Sequence, residues 1–234
     1  MIDKVRFSNL CEQNGIFLDE VMLERFDIYA RLLVEWNEKM NLTAITEPRE
    51  IELKHFLDSL MLIKYYDLQN VSNAIDVGAG AGFPSMPTLI YKPEIEFTLL
   101  DSLNKRLTFL SVVNNELGLD ANLVHSRAEV SGQEENYREK FDLAMARAVA
   151  PMNVLSEYCI PFVKEGGAFV ALKGSNDDVS EAGNAIEVLG GKLESNISYE
   201  LGGTEPRTIA VVRKISQTPT QYPRKSKKIS TKPL

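Results

Sequence analysis

Three glycines at alternate positions, Gly78, Gly80 and Gly82, close the short apolar run Asn73–Val77, and Phe83 and Pro84 follow at once. Glycine permits positive φ and leaves no Cβ between backbone and ligand. Such a turn either tightens a strand-to-helix junction or lets a small ligand lie against main chain. A dinucleotide fingerprint requires G-x-G-x-x-G, which seats a pyrophosphate on the helix N-terminus. Here the third glycine comes one residue early, and bulky Phe83 and Pro84 occupy the helix entrance. The spacing suits a nucleoside ligand without a pyrophosphate, S-adenosylmethionine being one. It speaks against a nicotinamide-dependent oxidoreductase.

Four further positions belong with that turn. Asp101 ends "LLDS" about 20 residues on, where a carboxylate can accept hydrogen bonds from ribose hydroxyls; it can equally cap the helix that follows. Ala128 and Glu129 fall at the next strand-to-helix junction, where an adenine ring could meet a backbone N–H beside a small side chain. An ordinary helix N-terminus with a glutamate favoured by the dipole explains them as well. Arg147 follows an apolar run and emerges at the ligand edge, ready for a carboxylate or phosphate; the alternative is a snorkelling arginine. His55, Asp58 and Ser59 share a helix face by i, i+3 and i+4 spacing. They read as a structural hydrogen-bond cluster ahead of a direct role. No Cys/His/Asp spacing indicates a metal.

The elements that must position these residues follow from hydrophobic period. Val21, Met22, Phe26, Tyr29, Leu32, Leu33, Trp36 and Met40 form one stripe of an amphipathic helix that stops at Asn41. These aromatics belong to the core, not to a base-stacking platform. A second helix, with Thr46 as N-cap and Pro48 in its first turn, runs to about Tyr65. From Val71 short apolar runs alternate with helical stretches. Strands are expected at 73–77, 96–101, 122–126, 141–146 and 167–172. Helices are expected to begin near Pro84, Ser102, Ser126 or Ala128, and Pro151, with another over Asp177–Leu189. That alternation indicates an α/β fold with a parallel sheet. "SNISYEL" and "TIAVVRK", joined across Gly202 and Gly203, resemble an antiparallel edge hairpin. Residues 216–234, rich in Pro, Ser and Lys, are expected to be a mobile arm.

The chain has 234 residues, 44% hydrophobic and 25% charged, as in an ordinary globular protein. No apolar run predicts a membrane span and the N-terminus lacks a signal-peptide core. Cys11 and Cys159, far apart, read as reduced thiols of a cytoplasmic protein. The net charge of −7 argues against general nucleic-acid affinity. Its distribution is uneven: residues 213–234 hold seven basic side chains and no acidic one, leaving −14 on the remainder.

The ordered set "WNEKMNLTAIT", "HFLDSL", "DVGAGAGFPSMP", "DSLNKRLTFL", "RAE", "ARAVAP", "LKG", "RTIAVVRK" and "YPRK...KPL" closely resembles the bacterial 16S rRNA guanine-N7 methyltransferase family, RsmG or glucose-inhibited division protein B. It covers most of the chain from Trp36 to Leu234. The resemblance implies a Rossmann-like methyltransferase fold: a mostly parallel sheet with an antiparallel C-terminal edge hairpin, plus an N-terminal helical extension. It implies S-adenosylmethionine as methyl donor, S-adenosylhomocysteine as product and 16S rRNA as substrate, naked or within the 30S subunit or an assembly intermediate. Gly78, Phe83, Ala128, Glu129 and Arg147 match the family's donor-binding motifs, and Gly80 and Asp101 join them from the reading above. Ser85, where many relatives have Gly, and Ala146, where many have Ser, depart from the pattern beside the expected pocket. The chain then divides into a helical extension at 1–70, a methyltransferase domain at 71–215 and a basic flexible tail at 216–234. A monomer is expected.

Guanine N7 is a bare acceptor with no proton to remove. No general base is required, no catalytic residue is assigned, and positioning carries catalysis. The tail cations Arg224, Lys225, Lys227 and Lys228 are expected to neutralise RNA phosphates, with Lys173 and Arg207 extending that surface; a solubilising tail is the alternative. Removing the tail is expected to weaken RNA binding more than donor binding. Two competing functions are a methyltransferase acting on a small molecule or protein, and a non-catalytic RNA-binding ribosome-assembly factor.

Overall fold

The alternation of short apolar runs with helices resolves into one seven-stranded sheet. The structure, a computed structural model, describes residues 1–147, 150–174 and 179–234. It opens with α1 (Lys4–Glu12), α2 (Glu20–Met40) and α3 (Pro48–Glu50). The last runs into a π-helical stretch, Ile51–Leu57, and then α4 (Asp58–Tyr65). Next come β1 (Asn73–Val77), α5 (Ser85–Tyr91), β2 (Glu96–Asp101), α6 (Asn104–Leu117), β3 (Asn122–His125), α7 (Ala128–Ser131) and β4 (Phe141–Arg147). The chain closes with α8 (Met152–Cys159), β5 (Val163–Gly174), α9 (Gly183–Val188), β6 (Gly191–Leu201), β7 (Glu205–Lys214) and α10 (Ser226–Thr231). The strand order is β3-β2-β1-β4-β5-β7-β6, parallel except for β7. The expected antiparallel C-terminal hairpin is present. The start of the helix expected at Asp177 lies outside the described residues.

Alternate strand residues feed two cores, as the period of 2 requires. Ala74, Leu143, Met145, Val170 and Val211 face the layer of α1, α2, α4, α5 and α6. Ile75, Val77, Ala144, Phe169 and Val212 face α8 and α9. The helices of residues 1–65 thus share a core with the sheet. Phe7, Phe26, Tyr29 and Phe56 are fully buried, and Tyr29 stacks on Phe83 at 5.4 Å. Asn41 ends α2 in the left-handed region, φ +50°. Glu47, not Thr46, precedes α3 and no side chain caps it, because Pro48 at the first turn removes one N–H that would need a partner. Among the described residues no helix is long and apolar enough to cross a membrane.

The tail departs from the expectation of a mobile arm. Tyr222 and Ile229 are buried. Arg138 donates to the carbonyls of Thr218 and Tyr222 at 2.6 and 2.7 Å. Arg224 grips Glu157 through Nε and Nη2 at 2.8 and 2.6 Å, and its backbone N–H donates to the same carboxylate at 2.8 Å. Polar anchors replace the apolar burial that composition showed to be scarce, so the segment folds across α8 and beside α7.

Candidate active site

Strand order reverses between β1 and β4, which opens a crevice beyond the carboxyl ends of the strands. A cavity of about 510 Å³ lies there, a volume typical of small-molecule sites. Gly78, Gly80, Phe83, Asp101, Ala128, Glu129 and Arg147 all line it. The seven positions singled out from sequence therefore converge on one cavity, although they span 70 residues of chain.

The glycine turn is built as its residues demand. Gly78, Gly80 and Gly82 have φ of +79°, +61° and +94°. The N–H groups of Gly78 and Ala79 both donate to the Leu100 carbonyl, at 2.8 and 3.1 Å, which pins the turn to the end of β2. A Cβ on Gly80 would find only the Gly78 carbonyl, at 3.8 Å, so open space lies on its free side. Gly82 serves a different purpose. A Cβ there would lie 2.6 Å from Met86 Cγ and 2.8 Å from both Leu110 Cδ2 and the Tyr29 hydroxyl. Its glycine is required by the core, not by a ligand.

Asp101 is engaged by its own surroundings and still faces the cavity. Its Oδ1 accepts from Leu103 N–H at 2.8 Å at the entry to α6. Its Oδ2 accepts from Gly80 N–H at 2.9 Å and Arg106 Nη1 at 3.2 Å, and the carboxylate still borders the cavity. Ser126, Arg127, Ala128 and Glu129 form the wall at the start of α7. Behind the turn, Asp76 is fully buried and accepts from Ser85 N–H at 3.3 Å. Burial pushes its carboxyl up to about 7, against hydrogen bonding by Ser85 and the charge of Arg147. Ser85 and Ala146 are buried and neither lines the cavity, so the two departures from the family pattern do not shape its wall.

Arg147 is not a snorkelling cation. It is largely buried at the end of β4, and its Nη1 donates to Asp58 Oδ2 at 3.1 Å and to the Lys54 carbonyl at 3.2 Å. Its guanidinium carbon sits 4.8 Å from the Phe83 ring centroid. The His55 ring stacks on Phe83 at 4.4 Å and 10°. Arg147 Nη2 lies 3.3 Å from His55 Nδ1. A guanidinium only donates, so Nδ1 accepts, the ring proton sits on Nε2, and Nε2 donates to Thr43 Oγ1 at 2.8 Å. Burial, with Arg147 adding, pushes the imidazole down to about 3, which keeps it neutral. Burial also lowers Arg147, opposed by Asp58. The expected cluster of His55, Asp58 and Ser59 is real, and its hub is Arg147. The π-helical stretch that presents Lys54 and His55 has no signature in hydrophobic spacing.

The cations expected to form an RNA surface separate into two groups. Lys225, Lys227 and Lys228 are exposed. Lys173 is buried and donates to the Ala150 carbonyl; Arg207 donates through Nε to Asp58 Oδ1 at 3.0 Å; Arg224 is held by Glu157. These three turn inward because each meets a carbonyl or carboxylate that tertiary folding places beside it. Sequence reading missed Thr43, Arg106, Tyr158 and Ser226, which also line the cavity. Tyr158 Oη and Ser226 Oγ lie 3.1 Å apart, so the tail supplies part of the wall. Only the place of Thr43 in "NLTAIT", of Arg106 in "DSLNKRLTFL" and of Ser226 within "YPRK...KPL" pointed toward them.

The fold and a crevice of this shape define a Rossmann-like methyltransferase architecture. Among solved structures it is similar to a precorrin-6y C5,15-methyltransferase from Geobacter metallireducens, with TM-score 0.51 and 17% identity over 67% of this chain and 87% of that one. Residues 22–202 match the GidB family, described as rRNA small subunit methyltransferase G, and the chain belongs to that family. Relatives named "Ribosomal RNA small subunit methyltransferase G" include one from Alkaliphilus metalliredigens, 49% identical over the whole of both chains. Another, from Brevibacillus brevis, is 49% identical over 99% of each.

Proposed function

We propose that this protein transfers the methyl group of S-adenosylmethionine to N7 of one guanine in 16S rRNA, in the cytoplasm. The observation that carries the reading is the convergence of Gly78, Gly80, Phe83, Asp101, Ala128, Glu129 and Arg147 on a single crevice at the strand-order reversal. Two features support the donor: open space beside Gly80 leaves room for a ligand against main chain, and the glycine spacing departs from the pyrophosphate-binding pattern. When bound, the donor supplies a methyl carbon on a sulfonium, which an attacking lone pair takes as sulfur leaves with the bonding electrons.

The chain's own part is placement. Gly78 and Gly80 let the ligand approach the backbone, and Asp101 and Glu129 offer carboxylate acceptors to hydroxyl groups. Ala128 leaves room for a flat ring beside the N-terminal turn of α7. Arg147, braced by Asp58 and Phe83, supplies a fixed cation for a carboxylate. Neutral His55 adds no charge where a purine becomes positive. N7 has no proton to lose, so none of these groups has to act as a base. Alignment of acceptor and methyl carbon carries the rate. The three exposed tail lysines lie within two residues of Ser226, which lines the cavity, and attract phosphates.

The test is transfer of labelled methyl from S-adenosylmethionine to small-subunit rRNA, naked and within 30S particles. Label in one of these RNAs is expected. Donor binding without label in either RNA refutes the substrate.

A further inference from the structure

A second cavity of about 370 Å³ adjoins the first and shares His55 and Arg147 with it as a common wall. Its other walls come from elements far apart in sequence, brought together by sheet register. Arg147 pairs across the sheet with Leu172, Gly174 with Arg207, and Arg207 with Tyr199. Lys54 enters from the π-helical stretch.

The lining has a definite chemistry. Four cations, Lys54, Arg147, Lys173 and Arg207, line the cavity with one carboxylate, Asp58, while outside the lining Glu50 and Glu205 pair with Lys54 at 3.1 and 3.4 Å and Glu205 lies 3.7 Å from Arg207. Asp58 divides its oxygens between two arginines, Oδ2 to Arg147 at 3.1 Å and Oδ1 to Arg207 at 3.0 Å. It fixes both guanidinium groups before any ligand arrives. Arg207 is further held by its Nη1 bond to the Pro206 carbonyl at 3.0 Å. Beside these charges stand the flat surface of Tyr199, steadied against Tyr65 at 5.0 Å, and the apolar side chain of Leu172. Fixed cations beside an aromatic face suit a nucleotide, whose phosphate is anionic and whose base stacks.

We propose that this second cavity seats the acceptor guanine nucleotide of the RNA, its base against the His55–Arg147 wall and its phosphate toward Arg207. The inference rests on the rRNA methyltransferase reading above. Sharing that wall puts the base beside the donor crevice. Guanine presents N7 and O6 on one edge, so a donor on this cavity's own lining, such as the Lys54 ammonium, can hold O6 while N7 stays free. Asp58 is a positioning residue: it acts through Arg147 and Arg207.

The experiment compares wild type with Arg207→Ala, Arg207→Lys and Tyr199→Leu, two positions that do not line the donor cavity. Three quantities are read: KM for small-subunit rRNA, Kd for S-adenosylhomocysteine, and NMR shifts of the tyrosine rings on titration with GMP in the presence of S-adenosylhomocysteine. Arg207→Ala should raise the RNA KM about tenfold or more, the size expected for loss of a charged hydrogen bond. Arg207→Lys should recover part of this, and Kd for S-adenosylhomocysteine should stay within about twofold. Tyr199→Leu leaves the Asp58 ion pairs intact and should also raise KM. An unchanged KM in both Arg207→Ala and Tyr199→Leu, with folded proteins, overturns the proposal. If wild type labels no RNA, the substrate reading fails and GMP decides the cavity alone. Shifts present in wild type and lost in Arg207→Ala uphold a nucleotide seat; no shift in wild type removes it.

Discussion

Cutting one ion pair should loosen the tail and with it the donor site. Arg224 makes four hydrogen bonds to Glu157, three from the guanidinium and one from the backbone N–H, and the Glu157 side chain is 0% exposed. Arg224→Ala removes the three made by the guanidinium and leaves a buried carboxylate without its cation. Breaking a buried pair in this way costs about 3–5 kcal/mol. Glu157 rehydrates when the tail swings away, so the lower figure applies, and about 3 kcal/mol shifts the docking equilibrium roughly 150-fold. Ser226 then leaves the cavity wall. Loss of one neutral hydrogen-bonding partner is worth about 0.5–1.5 kcal/mol, which is roughly two- to tenfold in donor affinity. Hydrogen exchange of residues 216–234 reads the first quantity and calorimetric titration with S-adenosylhomocysteine reads the second. Lys227→Ala, at an exposed position, serves as the control and should change neither. Unchanged tail protection together with unchanged donor affinity in Arg224→Ala would show that the tail is not a wall of the site. The structure thus predicts that deleting the tail weakens donor binding as well as RNA binding.

Three other outcomes follow from the same geometry. Gly82→Ala places a methyl 2.6 Å from Met86 Cγ at φ +94°, so it should destabilise the fold by about 2 kcal/mol or more, read by thermal melting; an unchanged midpoint contradicts the packing role. Asp76 has its carboxyl raised to about 7 in the folded state. The folded protein therefore holds the proton more tightly than the unfolded chain does. That contribution is complete below about pH 4 and is lost as pH rises through 7, by up to about 3 kcal/mol between pH 5 and pH 8. Asp76→Asn should flatten this fall in urea titrations, and parallel pH profiles would refute it. Replacing Lys225, Lys227 and Lys228 together by Ala should weaken RNA binding and reduce the salt slope by about 2–3, with donor affinity unchanged; an unaltered slope returns the tail to a solubilising role.

The sheet and the glycine crevice were legible because they are local. A period of 2, a period of 3.6 and positive-φ glycines each leave a mark within about ten residues of chain. Gly78 and Asp101 could be placed because strand ends and helix starts locate the ligand edge of an α/β sheet. The fate of Arg147, Arg207 and Arg224 was not legible. Each finds its carboxylate, Asp58 or Glu157, across 67 to 149 residues of sequence, and spacing carries no trace of such a pairing. The tail was misjudged for the same reason: its anchorage is polar and depends on Arg138 and Glu157, so low apolar content suggested mobility. The π-helical stretch at Ile51–Leu57 shares its composition with an α-helix and becomes visible only in its hydrogen bonds.

The most direct test of the whole account is the identity of the methylated atom. RNA labelled by the wild-type protein would be reduced and treated for chain scission, a reaction that marks N7-methylguanine. One cleavage at a single guanine of 16S rRNA is predicted. Label in the RNA without scission would put the methyl on another atom, and would contradict a site built to position N7 without a base.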